Sequence, residues 1–238
     1  MLRFLYFLSV ILAVNSGSAP FIKPCGKKDL ACVKTSAQAA VPFIAPGNPE
    51  LGVPSLDPLR LPRIKGDQNG LKLTFKNTII NGMKNCVIND VTQDLDKGKQ
   101  GMEIQCTVNM KGDYKLGGQL LILPIRGDGK YTIKIQDIVI RADIDLKTVE
   151  GVDGKPHWHI TDWTHSYDVK TSAHFDFKNL FGGNALLAGP VLEFVNFNWR
   201  EVMQEVAPPV VKGIVQAVVD AVQAFYTSVP ADELYINN

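Results

Sequence analysis

The 238-residue sequence lacks an excess of charge of either sign. Lys and Arg number 25, Asp and Glu number 24, and the formal net charge is +1. A nucleic-acid-binding domain usually carries a basic excess, so no nucleic-acid partner is expected. The 45% hydrophobic and 21% charged content is too apolar for a disordered chain and typical of a folded globular protein.

The sequence also lacks the usual catalytic and metal-binding motifs. It has no G-x-S-x-G nucleophile elbow and no cysteine or histidine cluster with zinc spacing. Gly127-Asp128-Gly129 is not followed by Lys-Ser/Thr and is predicted to be a hairpin turn rather than a phosphate loop. His157 and His159 share a strand face without an evident third ligand, which indicates solvent-facing histidines beside an inward Trp158. We therefore expect no enzyme activity, no catalytic residues, no metal and no cofactor.

Apolar runs long enough to span a membrane are missing as well. The N-terminal run from Phe4 to Val14 is shorter than the roughly 20 residues that a bilayer requires. Arg3 precedes it and small residues follow it, which is typical of a secretory signal over residues 1–19, cleaved after about Ser18 or Ala19. The later stretch 206–229 carries Lys212 and Asp220, whose charges oppose membrane insertion. A secreted, extracellular protein with no stable membrane span is expected, with residues 20–238 forming a single domain.

Four cysteines allow three complete disulfide pairings. A bridge from Cys25 to Cys32 would close a small loop against the first turns of a helix that begins near Asp29 and is expected to end at Pro42. Cys86 and Cys106 lie on two candidate strands, and their pairing stays open.

Alternating apolar and polar residues dominate the stretch 71–177 and predict an antiparallel meander of about six strands with one buried face. A Pro-rich connector over 46–62 precedes it, and Gly98, Gly112, Gly127–Gly129 and Asp153-Gly154 provide turn signals. The alternation slips by one residue between Ile135 and Ile138, and again between Ile160 and Trp163. Such slips mark β-bulges, which bend strands, so the sheet is expected to wrap around another element.

That element is the C-terminal segment. Apolar residues recur there at helical spacing from Trp199 to Val229, and Pro208-Pro209 is expected to kink or restart the helix. The apolar face is rich in Val and Ala, whose small side chains leave room inside a curled sheet. The pattern alone allows either an interior pocket or a filled core.

Several stretches resemble the Takeout and juvenile hormone-binding proteins of insects, in the order in which that family has them. The matching motifs are Pro20-Phe21-Ile22-Lys23-Pro24-Cys25 with Cys32, Gly52-Val53-Pro54-x-x-Asp57-Pro58-Leu59, Gly112-Asp113-Tyr114-x-Leu116-x-Gly118-x-Leu120-Leu121-x-Leu123-Pro124-Ile125-x-Gly127-x-Gly129, Asn179-Leu180-Phe181-Gly182-Gly183-Asn184, Asn196-x-Asn198-Trp199 and Pro230-x-Asp232-Glu233-Leu234. Each motif is weak alone, but together they cover almost the whole mature chain.

The resemblance implies an α+β fold in which a strongly curved antiparallel sheet wraps a long C-terminal α-helix and encloses a hydrophobic tunnel. It implies a carrier of small lipophilic molecules of terpenoid, fatty acyl, quinone or odorant type, with links to feeding, circadian output or chemosensation. Juvenile hormone carriers proper have a second disulfide that reaches the C-terminal half. No Cys follows Cys106 here, which places the chain on the Takeout side.

On this basis we predict a Cys25–Cys32 disulfide and an elongated apolar site between sheet and helix. The expected lining residues are Phe75, Val108, Leu120, Ile133, Ile140, Trp158, Phe175, Val210, Ile214, Val218 and Phe225. The expected protein is a monomeric, non-enzymatic carrier with a small hydrophobic ligand. The alternative is an extracellular protein that acts at surfaces, binding membrane lipid or a receptor rather than shuttling a ligand.

Overall fold

Six antiparallel strands and one long helix dominate the computed structural model, which describes residues 19–236. The predicted signal lies outside the described residues, apart from its last position, Ala19. In chain order the elements are β1 (Cys25–Gly26), α1 (Leu30–Ile44), β2 (Leu59–Gln68), β3 (Leu71–Asn81), β4 (Val87–Asp94), β5 (Lys99–Leu120), β6 (Leu123–Glu150), β7 (Pro156–Phe177), α2 (Ala185–Phe197), α3 (Trp199–Ser228) and β8 (Tyr235–Ile236).

The sheet has the strand order β2-β3-β5-β6-β7, with β4 beside the first part of β5. Every pairing within it is antiparallel, which confirms the predicted meander. The first strand of this sheet, β2, begins at Leu59, inside the segment that was predicted to be a connector. It tolerates Pro62 because β2 is an edge strand, where a missing backbone N–H need not break the ladder.

Both predicted bulges are present and confirmed. The β6–β7 register shifts around Asp137, which has a positive φ of 56°, and shifts again where Thr161 has no partner between Asp145 and Leu146 of β6. An unpaired residue bends its strand and increases the local twist. The long strands therefore curl, and their concave side faces α3.

Two predicted turns are wrong, because their glycines lie inside the long strands β5 and β6. A side chain on Gly112 would come within 2.7 Å of the Lys76 carbonyl oxygen, and one on Gly129 within 2.5 Å of the Lys178 carbonyl oxygen. These glycines permit close approach of neighbouring backbone rather than chain reversal. The chain instead reverses between β5 and β6 at Leu121, whose φ is 54°.

Neither α1 nor α3 ends at its prolines, contrary to the prediction for Pro42. Helix α1 continues past Pro42 to Ile44, and the Ala45 amide still donates to the Val41 carbonyl at 2.9 Å. Helix α3 does not restart at Pro208-Pro209 and forms one element, because Val206 and Val210 on either side are buried against the sheet. Packing of the apolar face outweighs the backbone bonds that the prolines forfeit.

One disulfide closes the N-terminal segment on itself, a second lies within the sheet region, and Gln38 of α1 connects the two parts by hydrogen bonds. Cys25 is bonded to Cys32 of α1, and Cys86 is bonded to Cys106 of β5. The Gln38 amide donates to the Cys86 carbonyl at 3.2 Å and its oxygen accepts from the Ile88 amide at 2.7 Å. Helix α1 is thereby held over β4.

Side-chain amides bind backbone groups of β7. Asn196 of α2 accepts from the Phe175 amide at 2.8 Å and donates to the Phe175 carbonyl at 2.9 Å. Gln223 of α3 accepts from the Ile160 amide at 2.7 Å. The two helices are therefore fixed to the outer strand of the sheet by polar as well as apolar contacts.

The prediction that both strand histidines face solvent is wrong for His157, which is only 4% exposed. Its Nδ1 lies 3.0 Å from the Tyr226 carbonyl oxygen in the last turn of α3, and its Nε2 lies 3.1 Å from Asp153 Oδ1. The backbone amide of Lys155 and the His157 ring stabilise the Asp153 carboxylate and lower its pKa. His157 thus joins the β6–β7 hairpin to the end of α3.

We predict that His157→Ala lowers the free energy of unfolding by about 1–3 kcal/mol, because it leaves the Tyr226 carbonyl without its buried partner. The matched control is His159→Ala, two residues along the same strand and exposed, for which a change within about 0.5 kcal/mol is expected. Urea denaturation followed by circular dichroism measures both. Equal stability of the two variants would contradict a role for His157 in fastening the helix.

Candidate functional site

A cavity of about 340 Å³ lies between α3 and the concave face of the sheet. Its wall is built from α3, from the inward positions of β4 to β7, and from α1, which covers one side. Pockets for small molecules commonly have volumes of roughly 300–1,000 Å³ and mostly apolar walls. The size and the lining are therefore suited to a lipophilic molecule.

Nine of the eleven predicted lining residues lie on the wall of this cavity. They are Val108, Ile133, Ile140, Trp158, Phe175, Val210, Ile214, Val218 and Phe225. Strand alternation and the helical stripe both point these side chains inward, and the curl of the sheet brings them together.

Phe75 and Leu120 lie elsewhere in the core. Phe75 is fully buried, and its ring centroid is 4.3 Å from that of Tyr131. The Tyr131 ring also lies 6.3 Å from Phe177, and Leu120 is buried at the end of β5. Aromatic rings of the sheet pack against one another around Phe75, and neither Phe75 nor Leu120 lies on the cavity wall.

Helix α1 supplies part of the wall that the sequence interpretation missed. Val33, Ala37, Ala40, Val41 and Ile44 all line the cavity. Successive steps of four, three, one and three residues place them on one helical face. This periodicity is the signal that could have identified them. The disulfide cysteines Cys25, Cys86 and Cys106 line it too. The N-terminal segment is therefore part of the site.

One end of the cavity carries a chain of polar side chains. The Tyr226 hydroxyl donates to Gln100 Oε1 at 2.8 Å, and Gln100 Nε2 donates to Gln93 Oε1 at 2.9 Å. Gln93 Nε2 in turn donates to the Lys27 carbonyl at 3.1 Å. Burial raises the pKa of the Tyr226 hydroxyl well above its ordinary value, so the group stays protonated.

Charge is almost absent from the wall. Lys23 is the only Lys, Arg, Asp or Glu among the described residues that line it, and Lys23 is exposed. Within residues 19–236 no group of His, Cys, Asp and Glu is arranged to hold a metal ion. The arrangement can bind apolar molecules through surface burial and can orient one polar group at the Tyr226 end.

Helices of membrane-spanning length and hydropathy are not found in the part of the chain that the structure describes. Even α3, the longest helix, is not apolar enough to cross a bilayer.

Known proteins resemble this chain in fold or in sequence. The fold superposes on the crystal structure of Epiphyas postvittana Takeout 1 with a TM-score of 0.86 and 33% identity, covering 90% of this chain and 99% of that one. The sequence is 26% identical to the "Circadian clock-controlled protein daywake" of Drosophila melanogaster, over 97% of this chain and 93% of that protein. It is also 26% identical to a "Putative beta-carotene-binding protein" of Schistocerca gregaria, over 85% of this chain and 82% of that protein.

The family model described as haemolymph juvenile hormone binding protein matches residues 5–236. The match spans every element from β1 to β8, including α1 and α3, which line the cavity. The curled sheet wrapped on a long C-terminal helix is also the expected Takeout-type fold. The chain therefore belongs to the haemolymph juvenile hormone binding protein family.

Proposed function

We propose that this protein is a secreted, monomeric, non-enzymatic carrier that holds one small lipophilic molecule in the cavity between α3 and the sheet. In this proposal residues 1–19 are removed on secretion and residues 20–238 form the working domain. Family membership and the fold support a carrier of lipophilic ligands in general. The observation that carries the proposal is the large, almost uncharged cavity between α3 and the sheet.

The apolar wall suits an extended terpenoid, fatty acyl, quinone or odorant molecule. Apolar contacts have no preferred direction, so they select a ligand by size and shape more than by identity. The relative named for beta-carotene binding supports an isoprenoid among these classes. Contact of the nine wall residues with the ligand is part of the proposal.

A surface-acting role is the second candidate, and the exposed apolar face of α2 favours it. Leu186 is 87% and Phe197 is 86% exposed, and Glu193 is the only charged residue of this helix. Sedimentation with liposomes tests this role. Binding of the wild type that is lost in Leu186→Ser/Phe197→Ser would support it, whereas wild type that stays in the supernatant would favour the carrier.

We predict that Ile214→Trp reduces uptake of a fluorescent fatty-acyl probe. Ile214 is buried on the stripe of α3 and lines the cavity, so an indole ring there would occupy ligand space. A loss of roughly 50–100 Å² of apolar contact, at about 25 cal/mol per Å², corresponds to roughly an 8- to 70-fold weaker affinity. Probe titration measures the affinity, and circular dichroism checks that the fold persists.

The matched control is Gln216→Trp, which adds the same ring to the solvent-facing side of α3. Its probe affinity should equal that of the wild type. Unchanged uptake by folded Ile214→Trp would contradict a ligand site against this helix.

Ligand affinity should also be nearly independent of salt. The mature chain would carry equal numbers of basic and acidic residues, and the wall is almost uncharged. Exposed charges are screened beyond about 8–10 Å at physiological ionic strength, whereas apolar burial is not weakened by sodium chloride in this way. Titration of a lipophilic probe in low and high sodium chloride measures the dependence. A large loss of affinity at high salt would contradict an apolar site and favour electrostatic attachment to a surface.

A further inference from the structure

A cluster of three polar side chains interrupts the apolar pattern of the cavity wall beside the last turns of α3. On β5 the inward residues Met102 and Ile104 are followed, toward the start of the strand, by Gln100. On β4, Gln93 follows Val91 toward the end of the strand. Gln93 is the direct cross-strand partner of Gln100. The two amides therefore lie side by side at an inward position where both strands otherwise present apolar groups.

The last turns of α3 place the Tyr226 hydroxyl against this pair of amides. The hydroxyl lies 2.8 Å from Gln100 Oε1, and the Tyr226 ring packs edge-on against Trp158 at 5.2 Å. His157 holds the backbone of the same residue through its contact with the Tyr226 carbonyl at 3.0 Å. The side chain is thus positioned from two directions.

The hydrogen bonds within this cluster leave both donor and acceptor capacity unused. The Tyr226 hydroxyl donates its one proton to Gln100, so its oxygen can still accept a hydrogen bond. The amide nitrogens of Gln100 and Gln93 each donate once within the cluster and each carry a second hydrogen. A ligand hydroxyl could donate to Tyr226, and a ligand carbonyl or hydroxyl oxygen could accept from an amide.

The same cluster offers nothing that would neutralise an ionised ligand. Its members are uncharged, and Lys23, the one basic residue on the wall, is exposed. Moving a carboxylate out of water without a paired cation costs far more than moving a neutral hydroxyl that finds a partner. The cavity end therefore discriminates by charge as well as by polarity.

We propose that Tyr226, Gln100 and Gln93 form a head-group subsite that selects lipophiles ending in a neutral hydrogen-bonding group, such as an alcohol, ketone or ester, over free fatty acids. This subsite deepens the proposed carrier function and rests on it. The apolar wall takes the tail, and the three polar residues fix the orientation of the ligand by holding its head at the Tyr226 end of the cavity.

The test compares three ligands of equal chain length: hexadecanol, hexadecane and hexadecanoate. Binding of each at neutral pH is measured by displacement of a lipophilic probe, for the wild type and for Tyr226→Phe, Gln100→Leu and Tyr114→Phe. Tyr114→Phe is the matched control, because its hydroxyl donates to the Lys178 carbonyl at 2.7 Å and does not line the cavity.

The wild type should bind the alcohol more tightly than either the alkane or the acid. Tyr226→Phe and Gln100→Leu should weaken alcohol binding about 3- to 10-fold, the range expected for loss of one hydrogen bond, and should leave alkane binding unchanged. Tyr114→Phe should change neither. This combination cannot arise from general destabilisation, which would weaken all three ligands together.

Two results would overturn the subsite while leaving the carrier function intact. One is equal affinity of the wild type for alcohol and alkane, unaltered in Tyr226→Phe. The other is tightest binding of the acid, lost in Lys23→Ala, which would show that the exposed cation selects the ligand. If neither the probe nor any of the three ligands binds to the folded wild type, the carrier function itself is contradicted, and the subsite with it.

Discussion

Burial of the apolar face of α3 against the concave side of the sheet is the interaction on which the rest of the structure depends. The sheet is curled by bulges, two of them between β6 and β7, so its concave side could not be covered by another flat layer. A single helix fits the curve, and it contacts both outer strands, β2 and β7. Because much of its buried face is Val and Ala, the helix covers the sheet without filling it, and a cavity remains.

Most of the residues that make the family recognisable hold the scaffold; of the family motifs, only Ile22, Lys23, Cys25 and Leu234 line the cavity. Asp57 accepts from the amides of Gly82 and Lys84, and the Tyr114 hydroxyl donates to the Lys178 carbonyl. Asn196 binds the backbone of Phe175. The polar end of the cavity is instead built from Gln93, Gln100 and Tyr226, which belong to none of these motifs. A shared scaffold can therefore accommodate different ligands among relatives.

Periodicity in the sequence predicted the faces of the elements well and their ends poorly. The slip in alternation near Asp137 located a real bulge, because a change of face along a strand must show in the pattern. Gly112 was misinterpreted as a turn, since sequence alone does not separate a glycine that reverses the chain from one that admits a neighbouring backbone. Pro42 was likewise predicted to end α1, since sequence alone does not show whether packing carries a helix past a proline.

The lining of the cavity shows what the periodicity of the sequence cannot predict. An inward face can be inferred from alternation, and Val108 and Ile140 do lie on the cavity wall. Whether an inward side chain meets empty space or another side chain depends on what lies across from it. Phe75 meets Tyr131, a residue of a different strand, and that pairing has no local signal in the sequence. The same holds for His157, whose partner Tyr226 is remote in the chain.

The amide contacts along β7 have a consequence for how copies of the protein behave toward one another. An outer strand normally presents unpaired N–H and C=O groups, which can recruit a strand from another molecule and start aggregation. On β7 the Phe175 and Ile160 amides are already occupied by Asn196 and Gln223. The contacts that fasten the helices thus also leave fewer backbone groups on β7 to which a strand of another molecule could bind. The outer edge of the sheet at β7 is therefore protected against self-association.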